Sequence, residues 1–260
     1  MKATYSPALI AASVGFLAAF LVAWELLPPI LGIPPFMLPG PLRVWQEFQR
    51  LNTPDELWIH VGITTLEIIA GFVLGSALGV VIGYGLGVAP RLELVLAPYI
   101  LALQIAPKVA FAPLFVLWLG YTVYPKILVA ILIVFFPIMI NVLTAVRSVD
   151  PDLVNLARAL SATRWQIFRN IECPATLPAV FAGLRIGSTL CVIGVVVGEL
   201  VGGNFGLGYL LAFGEGMGNT AMVFVAIVML TILGIIAYSA VVLVERRVLH
   251  YMPRAQHQTV

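Results

Sequence analysis

Long apolar segments alternate with short polar ones along the chain, and this pattern predicts several membrane-crossing helices. A helix needs about 20 mostly apolar residues to cross a hydrocarbon core about 30 Å thick. Six segments are long and apolar enough: residues 8–27, 63–88, 94–119, 127–146, 179–201 and 221–244. Helices also satisfy within themselves the backbone polar groups that lipid cannot. We therefore predict an all-α polytopic membrane protein with six transmembrane helices.

The third apolar segment is the least regular of the six. It contains Pro98, Pro107 and Pro113, and each proline removes a helix donor and clashes with the preceding turn. We predict a kinked or broken helix there.

The first apolar segment raises the question of a signal peptide. The apolar core of a signal peptide spans about 7–15 residues, and the segment 8–27 is longer, so we predict a retained helix. Between it and the second segment, Pro41 to Leu51 forms a short amphipathic stretch, which suits a helix at the membrane interface. Thr53, Pro54 and Glu56 form a capping pattern that starts the second membrane helix near Pro54. We divide the chain into residues 1–52, a transmembrane domain over 53–250, and a tail over 251–260.

Composition excludes a soluble protein and gives few indications of catalysis. The chain is 61% hydrophobic and 10% charged, whereas a soluble domain has about 25% charged residues. The net charge of +2 gives no sign of a nucleic-acid partner, and we expect none. Cys173 and Cys191 have neither metal nor redox spacing, so we expect no metal. His60, His250 and His257 are scattered near membrane ends or in the tail, where we expect them to be solvated.

Basic residues predict the orientation, because cytoplasmic loops carry the excess of lysine and arginine. With the N-terminus in the cytoplasm, three basic residues fall in outer loops: Arg43, Arg50 and Lys126. Lys108 and Arg185 lie at membrane depth. The cytoplasmic pieces hold the others: Lys2, Arg91, Arg147, Arg158, Arg164, Arg169, Arg246, Arg247 and Arg254. We predict a multi-pass protein of the bacterial cytoplasmic (inner) membrane with both termini in the cytoplasm.

The longest polar stretch between membrane segments, residues 147–178, contains a predicted amphipathic helix. Asp150 suits the N-cap and Pro151 the first helical position. Four apolar residues then share one face: Leu153, Leu156, Ala157 and Leu160. Two interpretations follow from this pattern. The helix lies on anionic lipid headgroups, or its apolar face enters a groove on a partner protein.

The same stretch resembles the coupling loop of binding-protein-dependent ABC importer permeases. The residues that carry the resemblance are Asn155-Leu156-Ala157, Ser161, Ile171 and Leu177-Pro178, with Gly183-Leu184-Arg185 and Gly206-Leu207-Gly208-Tyr209 further along. The similarity is greatest to the aliphatic sulfonate, taurine and nitrate permease group. Two residues depart from the family pattern: Asn155 replaces a glutamate and Ser161 replaces a glycine.

This resemblance implies a type I ABC importer permease fold with a cytoplasmic coupling helix. It also implies a homodimer of permeases, two ATPase subunits, and a periplasmic or lipid-anchored solute-binding protein. The residues that it assigns to ATPase coupling are Leu153, Asn155, Leu156, Ala157, Leu160, Ser161 and Arg164. No G-x-x-x-x-G-K-[ST] phosphate loop occurs in the chain. We therefore expect a transport subunit without cofactors, whose partner subunits bind ATP and magnesium.

The resemblance specifies the solute only broadly. It implies a small, often anionic organic solute or oxyanion. The segment from Pro107 to Ala110 is closer to permeases for pyrimidine thiamine precursors or riboflavin. An ATP-independent secondary transporter or channel is the alternative function, although its usual internal repeats are absent. A membrane enzyme is the third, but the sequence shows neither metal-ligand spacing nor a serine nucleophile motif.

Glycines recur every four residues in the second membrane segment, at Gly71, Gly75, Gly79, Gly83 and Gly87. Such a stripe allows another helix to approach closely. Because four residues exceed one turn of 3.6, the stripe drifts around the helix and suits a partner that crosses at an angle. Its role is either static packing or a sliding surface during gating.

Ionisable residues at membrane depth are functional candidates. We expect Lys108 to face the translocation pathway and to pair with Glu67 or Glu199 in one state; a static buried ion pair is the alternative. Arg185 follows closely on the cytoplasmic loop, and we expect a structural role. The glycine-rich segment 202–208 resembles an outer gate of the family, and a plain connecting loop is the alternative.

Overall fold

The computed structural model describes residues 7–251, and side-chain positions for residues 9–250. Its helices are α1 (Pro7–Ile30), α2 (Pro41–Leu51), α3 (Ile59–Gly87), α4 (Pro90–Ile105), α5 (Ala112–Leu119), α6 (Val123–Arg147), α7 (Pro151–Ala159), α8 (Arg164–Ile167), α9 (Cys173–Gly202), α10 (Leu207–Gly216) and α11 (Thr220–Val248). Wider π-helical turns precede α3 at Pro54–Trp58 and α9 at Phe168–Glu172. No strand occurs between residues 7 and 251, so the predicted all-α class is confirmed.

Five continuous helical segments are long and apolar enough to cross a membrane: Leu9–Ile30, Pro54–Gly87, Val123–Arg147, Arg164–Gly202 and Thr220–Val248. Helix α4 together with Lys108–Leu119 has the length and composition of a sixth span, broken or re-entrant, and the two parts are bent by 78° at a short break. The predicted broken third helix is thus confirmed, with the break at Pro107. Lys2, Arg254 and His257 lie outside the described residues.

Helix α6 is the centre of the bundle, and the glycine stripe of α3 lies against it. A Cβ atom built on Gly71 would lie 2.6 Å from the Ala130 Cβ, and one on Gly83 would lie 2.5 Å from the Met139 carbonyl oxygen. The facing residues on α6 also recur every four positions: Ala130, Val134, Ile138, Val142 and Val146. Because both stripes have the same spacing, close contact continues along almost the whole of both helices.

Helix α9 approaches α6 from another direction in the same manner. A Cβ atom on Gly194 would lie 2.8 Å from the Ala130 Cα, and one on Gly198 would lie 2.6 Å from the Lys126 Cα. Helix α6 is therefore in near-backbone contact with both α3 and α9. Lipid tails supply no hydrophobic force between helices, so van der Waals contact of this kind is a main source of their association.

The two N-terminal helices join the bundle at one end only. Helix α1 has no buried residue in its most apolar stretch, and it meets the rest of the protein near its C-terminal end, where Glu25 Oε2 accepts the Leu42 N–H at 3.0 Å. Helix α2 has the predicted bounds. Glu47 on α2 accepts a hydrogen bond from Asn219 Nδ2 at 2.8 Å, and the hydrogen-bonded Arg50 guanidinium lowers the pKa of Glu47.

The start of the second crossing is as predicted, but its cap is not. The helix begins at Pro54 with Thr53 at the N-cap, and the Thr53 side chain makes no capping hydrogen bond. The wider π-helical turn replaces the expected capping box. The proposed division at residues 52 and 53 stays a prediction.

We predict that Gly83→Ala destabilises the bundle, whereas Gly85→Ala on the same helix does not. The added methyl group at position 83 meets the Met139 carbonyl oxygen, which the backbone cannot move aside. Overpacking of this kind costs about 1–3 kcal/mol. At Gly85 nothing lies within 4 Å of the added atom. The measurement is the temperature at which the detergent-purified protein loses its monodisperse gel-filtration peak; equal temperatures for both variants would contradict the packing described.

Candidate functional site

The loop between α6 and α9 presents an uncovered apolar surface on α7. Asp150 caps this helix by accepting the Asp152 N–H at 2.8 Å. Leu153, Leu156 and Leu160 are 51%, 58% and 75% exposed. No part of the chain that the structure describes covers these leucines. The surface is therefore available to another molecule.

The end of α7 is a Schellman motif with serine at the position that usually carries glycine. The Ala162 N–H bonds to the Ala157 carbonyl at 2.9 Å, and the Ser161 N–H bonds to the Arg158 carbonyl at 2.9 Å. Ser161 has φ +59° and is the one non-glycine residue with positive φ among those described. A left-handed conformation costs a non-glycine residue roughly 1–2 kcal/mol. The turn implied by the family's glycine is thus kept, at some local strain.

Of the polar residues assigned to coupling, Asn155 lies on α7 and Arg164 begins α8, and the loop is tied to α3. Arg158 Nη1 approaches Asn155 Oδ1 at 3.5 Å. Arg158 and Arg164 line a small cavity together with Tyr84 and Glu172. The Tyr84 hydroxyl on α3 donates to Glu172 Oε2 at 2.6 Å. This hydrogen bond joins the loop to the end of a membrane helix.

A second site, the buried cluster, lies where the α9–α10 loop (residues 203–206) meets the bundle. It consists of His60, Thr64, Glu67, Lys126 and Glu199, which come from α3, α6 and α9 and are all buried. The sequence pattern places His60, Thr64 and Glu67 on one face of α3, four and three residues apart. The cluster is therefore formed by three helices that the glycine contacts hold together.

Lys126 is the partner of Glu67, which corrects the prediction that Lys126 lies in an outer loop. Lys126 Nζ lies 2.9 Å from Glu67 Oε1 and donates to the Phe205 carbonyl at 3.1 Å. Lys126 is therefore a buried residue and not part of an outer loop. The pairing of Lys108 with Glu67 or Glu199, expected for one state of the transporter, stays a prediction. Pro125 and Lys126 directly precede an apolar segment, and a charge at that boundary is easily assigned to the adjoining loop.

The remaining members of the cluster bind the backbone of the α9–α10 loop and the first turn of α10. His60 Nδ1 accepts the Gly206 N–H at 2.8 Å, and Thr64 Oγ1 accepts the Leu207 N–H at 2.8 Å. Glu199 Oε2 accepts the Gly208 N–H at 2.6 Å, and its Oε1 accepts the Thr64 hydroxyl at 2.6 Å. The prediction that His60 is solvated is wrong, since its ring also stacks on Tyr209. The glycine-rich loop is thus fastened to α3 and α9 by its own backbone.

Gly206 is required by this arrangement for two reasons. Its φ of +114° and ψ of +165° lie in a region that is essentially restricted to glycine. A Cβ atom on Gly206 would also lie 1.9 Å from Glu199 Oε1. The hydrogen bonds of the cluster are therefore compatible with glycine alone at this position.

Lys108 lies at the break between α4 and α5, away from the buried cluster. Its Nζ donates to the Gln104 carbonyl and lies 3.4 Å from the Ala106 carbonyl, at the C-terminal end of α4. The same nitrogen is 5.0 Å from the centre of the Phe136 ring. Lys108 thus caps a helix whose last carbonyls have no helical partner.

Arg185 makes the kind of structural contact that we expected. Its Nε lies 3.3 Å from Glu245 Oε2 on α11. The pair joins α9 to the end of α11.

Comparison with known families identifies the chain. The family described as the inner membrane component of binding-protein-dependent transport systems matches residues 71–250. The chain belongs to this family. The protein is therefore a permease subunit of an ABC importer, and the matched region includes the loop between α6 and α9 and, of the buried cluster, Lys126 and Glu199.

Individual relatives agree with this assignment. The permease is 38% identical to the riboflavin transport system permease protein RibX of Chloroflexus aurantiacus, over 88% of this chain and 86% of the relative. It is 33% identical to the putative aliphatic sulfonates transport permease protein SsuC of Bacillus subtilis, over 90% and 85%. It is also 33% identical to the formylaminopyrimidine transport permease protein ThiX of Halalkalibacterium halodurans, over 87% and 90%.

A solved structure supports the fold. The permease superposes on a chain of the inward-facing MetNI methionine ABC transporter with a TM-score of 0.57 and 21% identity, over 76% of this chain and 94% of that chain. At this identity the likeness establishes the ABC importer permease fold alone.

We predict that Gly206→Ala detaches the α9–α10 loop, whereas Gly218→Ala has only a small effect. Both glycines have positive φ, so both variants carry backbone strain of about 1–3 kcal/mol. Only at position 206 does the methyl group also collide with Glu199; nothing lies within 4 Å of it at position 218. The measurement is protease cleavage at the α9–α10 loop in the purified permease. Equal cleavage of the two variants would show that the collision has no consequence.

Proposed function

We propose that the permease works as a homodimer bound to two ABC ATPase subunits, with α7 as the helix that docks each ATPase. A periplasmic or lipid-anchored binding protein delivers the solute. The observation that best supports this proposal is the set of three exposed leucines on α7 and its C-cap. The helix is capped at both ends and lies at the position of the family's coupling loop. A helix with this surface suits a groove on a partner.

The attachment of the loop supports docking over simple contact with lipid headgroups. A helix that only rests on lipid needs no fixed link to the bundle. Here the Tyr84–Glu172 hydrogen bond and the edge-to-face contact of Tyr84 with Phe168 hold the loop against α3. Movement of a partner on α7 is therefore passed to a membrane helix.

The distribution of basic residues supports an orientation with α7 and both termini in the cytoplasm. Arg147 pairs with Glu93 near the end of α6 that leads into the loop carrying α7, and Arg185 pairs with Glu245 near the end of α11. Because Lys126 is buried, only Arg43 and Arg50 remain in the segments assigned to the outside. The excess of basic residues in the segments assigned to the cytoplasm over those assigned to the outside is thus larger than the sequence alone indicated.

We assign the break between α4 and α5 to the translocation pathway. Non-helical backbone at membrane depth is tolerated where it is buried in protein or lines a water-filled cavity. The residues on both sides of the break, Ile105 and Val109, are 73% and 50% exposed. Facing a pathway between two permease subunits satisfies this requirement, and Lys108 then presents its charge to the pathway. Glu67 and Glu199 serve the fastening of the α9–α10 loop instead.

The solute that we favour is a small heteroaromatic compound of the riboflavin or pyrimidine type. The support is the 38% identity to a permease named for riboflavin and the 33% identity to one named for formylaminopyrimidine. An aliphatic sulfonate is the second candidate, because a sulfonate permease is also 33% identical. Titration of the cognate binding protein with these compounds distinguishes the two.

We predict that Leu156→Glu abolishes co-purification of the ATPase, whereas Ala159→Glu retains it. Both substitutions introduce one charge into α7 at exposed positions, but only Leu156 belongs to the leucine surface. Truncation of a hot-spot residue at the centre of an interface costs at least about 2 kcal/mol, or roughly thirtyfold in affinity, and we expect Leu156 to be such a residue. The measurement is the amount of ATPase retained on the tagged permease. Full retention by Leu156→Glu would remove α7 from the interface.

We predict that Lys108→Ala lowers solute uptake at least roughly tenfold. The substitution removes the hydrogen bonding of the Lys108 ammonium group at the break between α4 and α5, and a hydrogen bond from a charged group contributes about 1.5–3 kcal/mol. Lys108→Arg keeps the charge and retains more uptake. The measurement is uptake by the complex reconstituted in vesicles with its binding protein, together with ATPase co-purification. Normal uptake by Lys108→Ala would exclude Lys108 from the mechanism.

A further inference from the structure

The buried cluster contains more acidic than basic groups. Glu67 and Glu199 are 2% and 1% exposed, and Lys126 is 4% exposed. A buried charge without a partner is strongly unfavourable. One lysine neutralises one carboxylate, so the second requires another source of positive charge.

His60 does not supply that charge. Its Nδ1 accepts the Gly206 N–H, so this nitrogen carries no proton, and the ring is the neutral tautomer with its proton on Nε2. The titratable groups that the described elements bring to the cluster are His60 and Glu67 from α3, Lys126 from α6 and Glu199 from α9, together with the Tyr209 phenol from α10, which stacks on His60 and supplies no positive charge. With both carboxyl groups ionised, the cluster has a net charge of −1.

One buried carboxylate oxygen of the cluster accepts no hydrogen bond from the residues that the structure describes. Glu199 accepts from Thr64 and from the Gly208 N–H, and Glu67 Oε1 accepts from Lys126. Glu67 Oε2 is buried and has no hydrogen-bond donor within the described part of the chain. Thr64, three residues before Glu67 on the same face of α3, donates to Glu199 Oε1 at 2.6 Å, so the Glu67 and Glu199 side chains occupy the same buried site. Two ionised carboxylates cannot bond to each other, because both only accept.

We propose that Glu67 and Glu199 share one bound proton. The proton neutralises the cluster and forms an O–H···O hydrogen bond between the two side chains. That bond occupies the acceptor on Glu67 that is otherwise unpaired. Two like charges in one buried site are avoided in this way in carboxylate dyads of other proteins.

The proton has a structural consequence for the α9–α10 loop. Glu199 holds the Gly208 N–H directly and the Leu207 N–H through Thr64, while Glu67 holds Lys126 against the Phe205 carbonyl. The shared proton joins these two sets of contacts. The attachment of the α9–α10 loop to α3 and α9 therefore depends on a bound proton, which no side chain of the cluster supplies.

Infrared difference spectroscopy of the purified full-length permease tests the proposal. The wild type should show the C=O stretch of one protonated carboxyl group, which shifts on exchange into D₂O. Glu67→Gln and Glu199→Gln should each lose this band, since the remaining carboxylate then pairs with Lys126. Glu56→Gln, which changes an exposed carboxylate preceding the same helix, should keep it. Absence of the band in the wild type, or its persistence in both cluster variants, would overturn the proposal.

Thermal stability gives a second test that does not depend on transport or on an ATPase. Under the proposal neither single glutamine variant is more stable than the wild type, because charge balance is already complete. Glu67→Gln/Glu199→Gln leaves Lys126 without a counter-charge, which should lower the folded-to-unfolded ratio by roughly 100-fold or more. If instead both carboxylates were ionised, each single variant would remove excess charge and be clearly more stable than the wild type. That result would refute the shared proton.

Discussion

Near-backbone contact of α6 with α3 and α9 is the constraint on which the rest of this permease depends. In lipid, apolar side chains gain nothing by leaving their solvent, so helices must gain contact area from close approach. Glycines on α3 and α9 permit that approach along almost the whole of α6. The positions of both candidate sites follow, because each lies at an end of these three helices.

At one end, α6 continues into the coupling loop, and α9 begins directly after it. At the other end, α6 contributes Lys126, α3 contributes His60, Thr64 and Glu67, and α9 contributes Glu199. The same three helices thus carry the exposed leucine surface of α7 at one end and the attachment of the α9–α10 loop at the other. A rigid connection between the two ends is what an importer requires, since ATP is bound on one side of the membrane and solute arrives on the other.

Much of this architecture could be predicted from local patterns. Apolar length determined the crossings, prolines indicated the broken third helix, and Asp150 with Pro151 marked the start of α7, because each of these signals acts within a few residues. The glycine spacing indicated a closely packed surface but not its partner. The exposed leucine surface of α7 followed from helical periodicity alone.

The buried cluster could not be predicted in the same way, because its partners are distant in the chain. Glu67 and Lys126 are brought together by the packing of α3 against α6, and no local pattern specifies that pairing. Hydropathy assigned Lys126 to a loop and His60 to solvent, since it averages over neighbours and ignores tertiary partners. The spacing of His60, Thr64 and Glu67 on one helical face was the available signal. A polar face on an otherwise apolar membrane helix needs partners within the protein.

The Tyr84–Glu172 hydrogen bond has a mechanical consequence. Tyr84 and His60 are on the same continuous helix, α3, separated by about 36 Å at 1.5 Å per residue. A rod of that length is a lever: a tilt of about 5° at one end displaces the other by about 3 Å, the length of a hydrogen bond. Under the proposed docking of a partner on α7, small rotations at the Tyr84 end of α3 are therefore large enough to break the hydrogen bonds that hold the α9–α10 loop.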